Sequence, residues 1–283
     1  MNFALYAGFE HMLAEKGVEA TIAFAKQYGY SSVEFLRAAY GNTYSEAGSP
    51  EAAKALRKTL HGAGLTTACY SVYSNVKRQQ TKQGLLDHLE IAAELESPFL
   101  HYTLLTAMDS PHPADYSESV KLAVDVSVAV ANRAKELGIT CIYEDQGFYV
   151  NGVEGFGGFY NTLKQTCSNV GICMDVGNIL FVDEKPEVFL EVYKNDVVHV
   201  HIKDYLRKCA PSAPGRSWLR TANGNWLRDT VVGDGVIDHA AYMRILNAIG
   251  YKGAFALENG HPEPFEAGIE QAMDLLNSLY DPK

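Results

Sequence analysis

A closed (β/α)8 TIM barrel in a single domain, residues 1–283, is the fold class this sequence predicts, and three observations predict it. Eight short runs rich in β-branched and other apolar residues recur along the chain, each bounded by Gly, polar or turn residues. Amphipathic stretches with apolar residues at helical spacing lie between them. The two kinds alternate strictly, which implies a parallel sheet, and eight such units in a chain of this length fit a closed barrel better than an open sheet. With 47% hydrophobic content and no low-complexity segment, the chain can bury a large core.

Taken in order, the first strand is expected at Phe3–Tyr6, a short apolar run that could pair in more than one way, and a helix follows in GVEATIAFAKQYGY. QYGY reads as the helix stop, as does AIGY near the end of the chain. The second strand is Ser32–Leu36, with a helix in SPEAAKALRKTLHGAG after it, and the third and fourth are Thr66–Ser71 and Phe99–Thr103. A long helix in YSESVKLAVDVSVAVANRAKELG leads to Thr140–Glu144. Gly171–Asp175, Val197–Ile202 and Ala254–Glu258 complete the set, the last preceded by a helix in IDHAAYMRILNAIGYKG.

The net charge, 24 − 34 = −10, would repel a phosphate backbone, so nucleic acid is not an expected partner. The N-terminus has no basic region ahead of its apolar stretch, and charges interrupt every apolar run before ~18 residues. Neither a signal peptide nor a membrane span is indicated, and a cytoplasmic location is the default expectation. The five cysteines (Cys69, Cys141, Cys167, Cys173 and Cys209) are scattered without a C-x-x-C pair, which points to a reducing compartment and away from a thiolate metal site.

In a barrel of this kind the active site lies where the strands end at the C-terminal face, so those ends become the candidates. The fifth strand ends with Glu144, the sixth with Asp175, the seventh delivers His199, His201 and Lys203, and the eighth ends with Glu258. A single acid in such a place is ordinarily a solvated loop residue or a helix cap. Four consecutive strands delivering acid, acid, imidazole and acid to one rim is a different matter. Carboxylates crowded in this way repel one another unless a cation sits among them, and three oxygens with one imidazole suit one divalent metal ion, Mn²⁺, Mg²⁺, Co²⁺ or Zn²⁺. Alternation puts His199 and His201 on one side of their strand, facing the barrel interior, and Val198, Val200 and Ile202 on the other. His201, nearer the rim, is the expected ligand, and His199, one layer deeper, a hydrogen-bonded neighbour.

YED, MDVGN, HVHIKDY, GDGVID and ALEN, in this order, resemble the xylose isomerase-like barrels of the sugar phosphate isomerase/epimerase superfamily, which includes ketose 3-epimerases, hydroxypyruvate isomerases and inosose dehydratases. The resemblance spans nearly the whole chain. It implies Glu144, Asp175, His201 and Glu258 as ligands of one divalent metal; their placement on the fifth and eighth strands, on either side of the ion, makes Glu144 and Glu258 also the expected acid–base pair. It implies a small-molecule substrate, a sugar, sugar phosphate or related hydroxy-ketone. Such a metal stabilises the enediolate formed when a proton leaves the carbon beside a carbonyl, and a carboxylate removes and returns that proton. The inosose dehydratases, which eliminate water, begin with the same abstraction.

Arg207, six positions after His201, matches an Arg of the ketose 3-epimerases and is expected to contact a substrate oxygen. Two other clamps of those epimerases are absent, their places held by Val150 and Asn178. Substrate contacts are therefore expected from Asn178, Lys203, Arg207 and His101 at the end of the fourth strand; His101 reads equally as a core histidine. The Gly- and aromatic-rich stretch GFYVNGVEGFGGFY suggests a mobile wall over the pocket. The long segment from Lys203 to Gly235 holds Arg207, Lys208, Arg216, Arg220 and Arg228 with Trp218 and Trp226, a cationic patch suited to an anionic substrate or to a partner in a homo-oligomer. The glycines of GDGVID read as serving a turn rather than a phosphate. Two further readings are an apurinic-site endonuclease, which would need extra metal-binding histidines, and a non-catalytic sugar sensor, against which the full ligand set argues. For the first, His11, His61, His88, His112, His239 and His261 end no expected strand.

Overall fold

A computed structural model describes residues 1–39, 48–105, 116–258 and 265–282. His112 and His261 lie outside these residues. Eight parallel strands close into a barrel: β1 (Asn2–Leu5), β2 (Ser32–Ala38), β3 (Thr66–Tyr73), β4 (Phe99–Tyr102), β5 (Thr140–Glu144), β6 (Val170–Asp175), β7 (Val197–Ile202) and β11 (Ala254–Leu257). The short first strand pairs with β11 from Asn2 to Leu5 and with β2 at Ala4 and Leu5, which completes the ring. Around it run α1 (Phe9–Gln27, interrupted at Gly17), α2 (Pro50–Gly62), α3 (Thr81–Glu94), α4 (Tyr116–Glu136), α5 (Gly152–Lys164), α6 (Pro186–Tyr193), α7 (His239–Ala248) and α8 (Phe265–Leu279). Among the described residues no helix is long and apolar enough to cross a membrane.

The main apolar core lies between strands and helices and takes the outward residues, among them Phe35, Tyr70, Tyr143, Met174, Val200, Ile202 and Phe255. The barrel interior is different. Ala4, Ala68, Ala254 and Ala256 form one small cluster there and Cys69, Ile142 and Cys173 another, leaving room for inward polar side chains. Two β-bulges adjust which residues point in. In β7 the pairing with β6 passes from Ile172↔Val197 to Cys173↔His199, so Val198 is an added residue. It packs against the Cys69–Ile142–Cys173 cluster rather than facing the helices, contrary to simple alternation, while Val197 takes the outward place. In β2 and β3 the pairing passes from Val33↔Thr67 to Glu34↔Cys69.

The segment after β7 is an antiparallel sheet: β8 (Asp204–Cys209), β9 (Leu219–Arg220) and β10 (Asn225–Thr230), in the order β8-β10-β9. Asp204 anchors it. Its fully buried carboxylate accepts hydrogen bonds from the backbone N–H groups of Tyr205 (2.8 Å), Gly233 (3.1 Å), Gly235 (3.0 Å) and Ile237 (3.2 Å) and meets His239 Nε2 at 3.0 Å. The backbone of GDGVID thus serves a turn wrapped on the protein's own anion. Asp204→Ala is expected to cost about 3–5 kcal/mol of stability, since it strands buried donors, and a denaturant midpoint unchanged from wild type would contradict this.

The stretch GFYVNGVEGFGGFY is mostly helix rather than an open loop. From Gly152 onward it is α5, whose Phe156, Phe159 and Tyr160 are fully buried. Gly157 is there because α6 comes close: a Cβ at this position would stand 2.5 Å from Tyr193 Oη.

Candidate metal centre

Glu144 and Asp175 are the last residues of β5 and β6, and His201 lies in register with Asp175 on one side and Ala256 on the other. Glu258 follows β11 directly, its N–H donating to Ile202 O at 2.8 Å. Strand register therefore delivers all four side chains to one end of the barrel, and one ligand atom from each lies within 4.8 Å of the others. His201 Nδ1 is 2.9 Å from Glu144 Oε1 and 3.1 Å from Glu258 Oε1. Lys203 reaches the same group, its Nζ 2.8 Å from Asp175 Oδ2 and 2.6 Å from Glu258 Oε2. Its stem crosses Gly177, where a Cβ would stand 2.3 Å from Lys203 Cγ.

These residues fit a divalent cation. Three buried or nearly buried carboxylates stand against one ammonium, and three minus one leaves two negative charges. Without a metal, protons supply the balance. Burial pushes the Glu144 carboxyl up to about 8, with the Asp175 charge adding to the effect against a hydrogen bond to His201. Burial works the other way on His201, yet Cys173 and the Glu34 carboxylate raise it well above the usual histidine range. Both shifts express one thing, a proton retained in the 2.9 Å contact between Glu144 and His201. Glu258 is the contrast: burial opposes its ionisation, but Lys203 and His201 hold it down at about 2. Binding of Mn²⁺ or Zn²⁺ at pH 7 should therefore expel about one proton per ion, and fewer as the pH rises past 8. Calorimetry in buffers of different ionisation enthalpy measures this, and a binding heat independent of buffer would contradict it.

Beneath the rim sits a carboxylate that motif reading did not identify. Glu34, two residues into β2, is fully buried and crosses the barrel to β7, its Oε2 2.7 Å from His199 Nε2 and its Oε1 3.0 Å from His201 Nε2. Burial alone would raise its pKa, but the two imidazoles hold it well below the usual range. Its signal in the sequence is a lone acid between Val33 and Phe35 in an apolar strand, since a charge there needs partners. Tyr6, just past β1, is also at the site, stacked on His201 with ring centroids 4.8 Å apart. Asp145 is buried beside Glu144 and accepts the Asp175 N–H at 2.7 Å.

The four expected substrate contacts are placed differently from one another. Lys203 is at the carboxylates, and Asn178 is 3.4 Å from it through Oδ1, with its own Nδ2 buried and unpartnered among the described residues. His101 is buried with Nε2 3.7 Å from Glu144 Oε2. Arg207 pairs through Nη2 with Asp183 Oδ1 at 2.7 Å, tying β8 to the connection after β6. In the cationic patch, Lys208 and Arg228 both lie over Trp218, 5.0 and 5.2 Å from its ring. His88 is engaged by Tyr70 and the Ala38 carbonyl, and His239 by Asp204 and Tyr242. Cys69 and Cys173 approach Glu34, His199 and His201, but burial pushes both thiols up, so they stay protonated beside partners already hydrogen-bonded to one another.

Comparison with known proteins agrees with the architecture. Residues 22–279 match the family described as xylose isomerase-like TIM barrel. An inosose dehydratase from Geobacillus thermodenitrificans is 24% identical over 239 residues, 79% of this chain and 77% of that one. Among solved structures, a D-psicose 3-epimerase with D-tagatose from Clostridium cellulolyticum H10 superposes with a TM-score of 0.72 at 15% identity, covering 99% of this chain and 100% of the other. The IOLI protein with a zinc atom gives 0.71 at 16% identity over 99% and 96%.

Proposed function

The chain belongs to the xylose isomerase-like TIM barrel family, and from that premise we propose that it is a divalent-metal-dependent isomerase or epimerase acting on a sugar, sugar phosphate or related hydroxy-ketone. The observation that carries this reading is the convergence of Glu144, Asp175, His201 and Glu258 within 4.8 Å at the C-terminal end of the barrel. These four would hold the ion, which when bound supplies Lewis-acid stabilisation of the negative charge that develops on the substrate's oxygens.

The remaining work falls to the chain's own groups. Glu144 and Glu258 come from β5 and from the end of β11, with β6 and β7 between them in the sheet, so they approach a substrate from different sides. One takes the proton from the carbon beside the carbonyl and hands it back to the neighbouring carbon, or the other, carrying a proton taken up from solvent, delivers that proton to the opposite face while the first releases its own to solvent. Lys203 and Asn178 stand beside these carboxylates to orient substrate oxygens. Tyr6 covers the His201 ring and shields that side from water.

A second reading is elimination of water, favoured by the inosose dehydratase relatives and by Val150 and Asn178 at the positions of two epimerase clamps. It shares the first proton abstraction. A panel of ketoses, ketose phosphates, inososes and small hydroxy-carbonyl acids, assayed with Mn²⁺ and with chelator, tests both. Metal-dependent isomer formation supports the first, loss of water supports the second, and no turnover of any class despite one bound ion per chain would overturn them.

A further inference from the structure

The buried hydrogen bonds below the rim run in one direction, and the direction can be read from which groups are able to donate. Glu34 is fully buried and meets three polar neighbours, the Ser71 hydroxyl at 2.5 Å and the Nε2 atoms of His199 and His201 at 2.7 and 3.0 Å. An ionised carboxylate only accepts, so Ser71 spends its single proton on Glu34. Ser71 Oγ is also 2.9 Å from His101 Nδ1, and with its proton spent it can only accept there. The proton of the His101 ring is therefore on Nδ1. Its other nitrogen, Nε2, is buried and has no hydrogen-bond partner among the described residues. At 3.7 Å from Glu144 Oε2 it is beyond hydrogen-bond reach, whereas an N–H facing a carboxylate would close to roughly 2.8 Å.

We propose that Glu34 is a positioning residue which, through Ser71, fixes His101 in the Nδ1–H tautomer, so that the site offers a bare imidazole nitrogen beside Glu144 as acceptor for a hydroxyl group of the substrate. The same carboxylate receives the Nε2–H of His201 and leaves His201 Nδ1 facing the rim carboxylates. One buried acid thus sets the hydrogen-bond polarity of two histidines on different strands. Burial and the adjacent His201 also push the His101 pKa down to about 3, in keeping with a neutral ring. A position lined by an acceptor selects a hydroxyl over a carbonyl or ether oxygen, which suits a polyhydroxylated substrate. The use of this acceptor rests on the function proposed above; the tautomer does not, and it can be measured without metal or substrate.

The test is the ¹⁵N spectrum of the histidine rings in the metal-free full-length protein, where protonated and bare nitrogens are well separated. Wild type is expected to show His101 with Nδ1 protonated and Nε2 bare, assigned by its loss in His101→Gln. Ser71→Ala is expected to release it to the Nε2–H or a mixed tautomer while Zn²⁺ affinity stays within about twofold of wild type, because no rim ligand is touched. Glu34→Gln is expected to release His101 and also to weaken Zn²⁺ binding by about 10–100-fold. His101 protonated on Nε2 in wild type, or an unchanged tautomer in Ser71→Ala, would overturn the proposal whether or not Glu34→Gln folds. A second equivalent of Zn²⁺ that moved the His101 Nε2 signal would also overturn it, by making that nitrogen a metal ligand. Failure of wild type to bind any Zn²⁺ would count against the metal reading instead.

Discussion

Glu144→Gln and Glu258→Gln are each expected to lower turnover by about 10²-fold or more while keeping most of the bound metal. Gln preserves the shape and one oxygen ligand but has no basic site. At Glu258 the change also removes a charge that Lys203 and His201 hold ionised at 2.6 and 3.1 Å. At Glu144 it removes the group that retains a proton against His201. The measurement is kcat with whichever substrate of the panel reacts, paired with metal content per chain. In deuterated water the product should carry deuterium at the carbon next to the carbonyl wherever the abstracted proton exchanges with solvent. Full activity in both variants, or hydride transfer between carbons with no base involved, would refute the acid–base assignment.

The second large effect is at the histidines. His201→Ala is expected to lower Mn²⁺ or Zn²⁺ affinity by more than about 10²-fold, whereas His199→Ala should lower it by about tenfold or less. His201 Nδ1 lies 2.9 Å from Glu144 and 3.1 Å from Glu258, and its loss also takes one of two donors from Glu34 Oε1, leaving Ser71. His199 meets the site through Glu34 Oε2 and an edge contact with the His201 ring, offers no nitrogen to the rim carboxylates, and without it Glu34 still has Ser71 and His201. Equal losses of metal in the two variants would sink the distinction between ligand and neighbour.

Much of this molecule could be read before its structure. The expected spans at Thr140–Glu144 and Val197–Ile202 coincide with β5 and β7, because buried parallel strands are short unbroken apolar runs with punctuated ends. Acids at strand ends were legible for the same reason. What escaped was set by contacts between distant parts of the chain. Glu34 lies inside its strand rather than at the tip, and its partners on β7 are 165 and 167 residues away. The helical state of α5 was hidden by its glycines, poor helix formers whose cost is outweighed here by burial of Phe156, Phe159 and Tyr160. The ion pair of Arg207 with Asp183 was likewise out of reach, because Asp183 sits in a connection whose path a motif offset does not encode.

The added residue in β7 has a consequence for how such strands diverge. Val197 points out, Val198 and His199 both stay with the interior, Val200 points out and His201 in. Deleting Val198 would therefore leave the phase of every later side chain intact, whereas deleting any one residue of a regular ladder inverts all that follow. The bulge makes the first half of β7 a place where length can change silently. What the barrel holds fixed is the heading of the imidazole, not its count from the start of the strand.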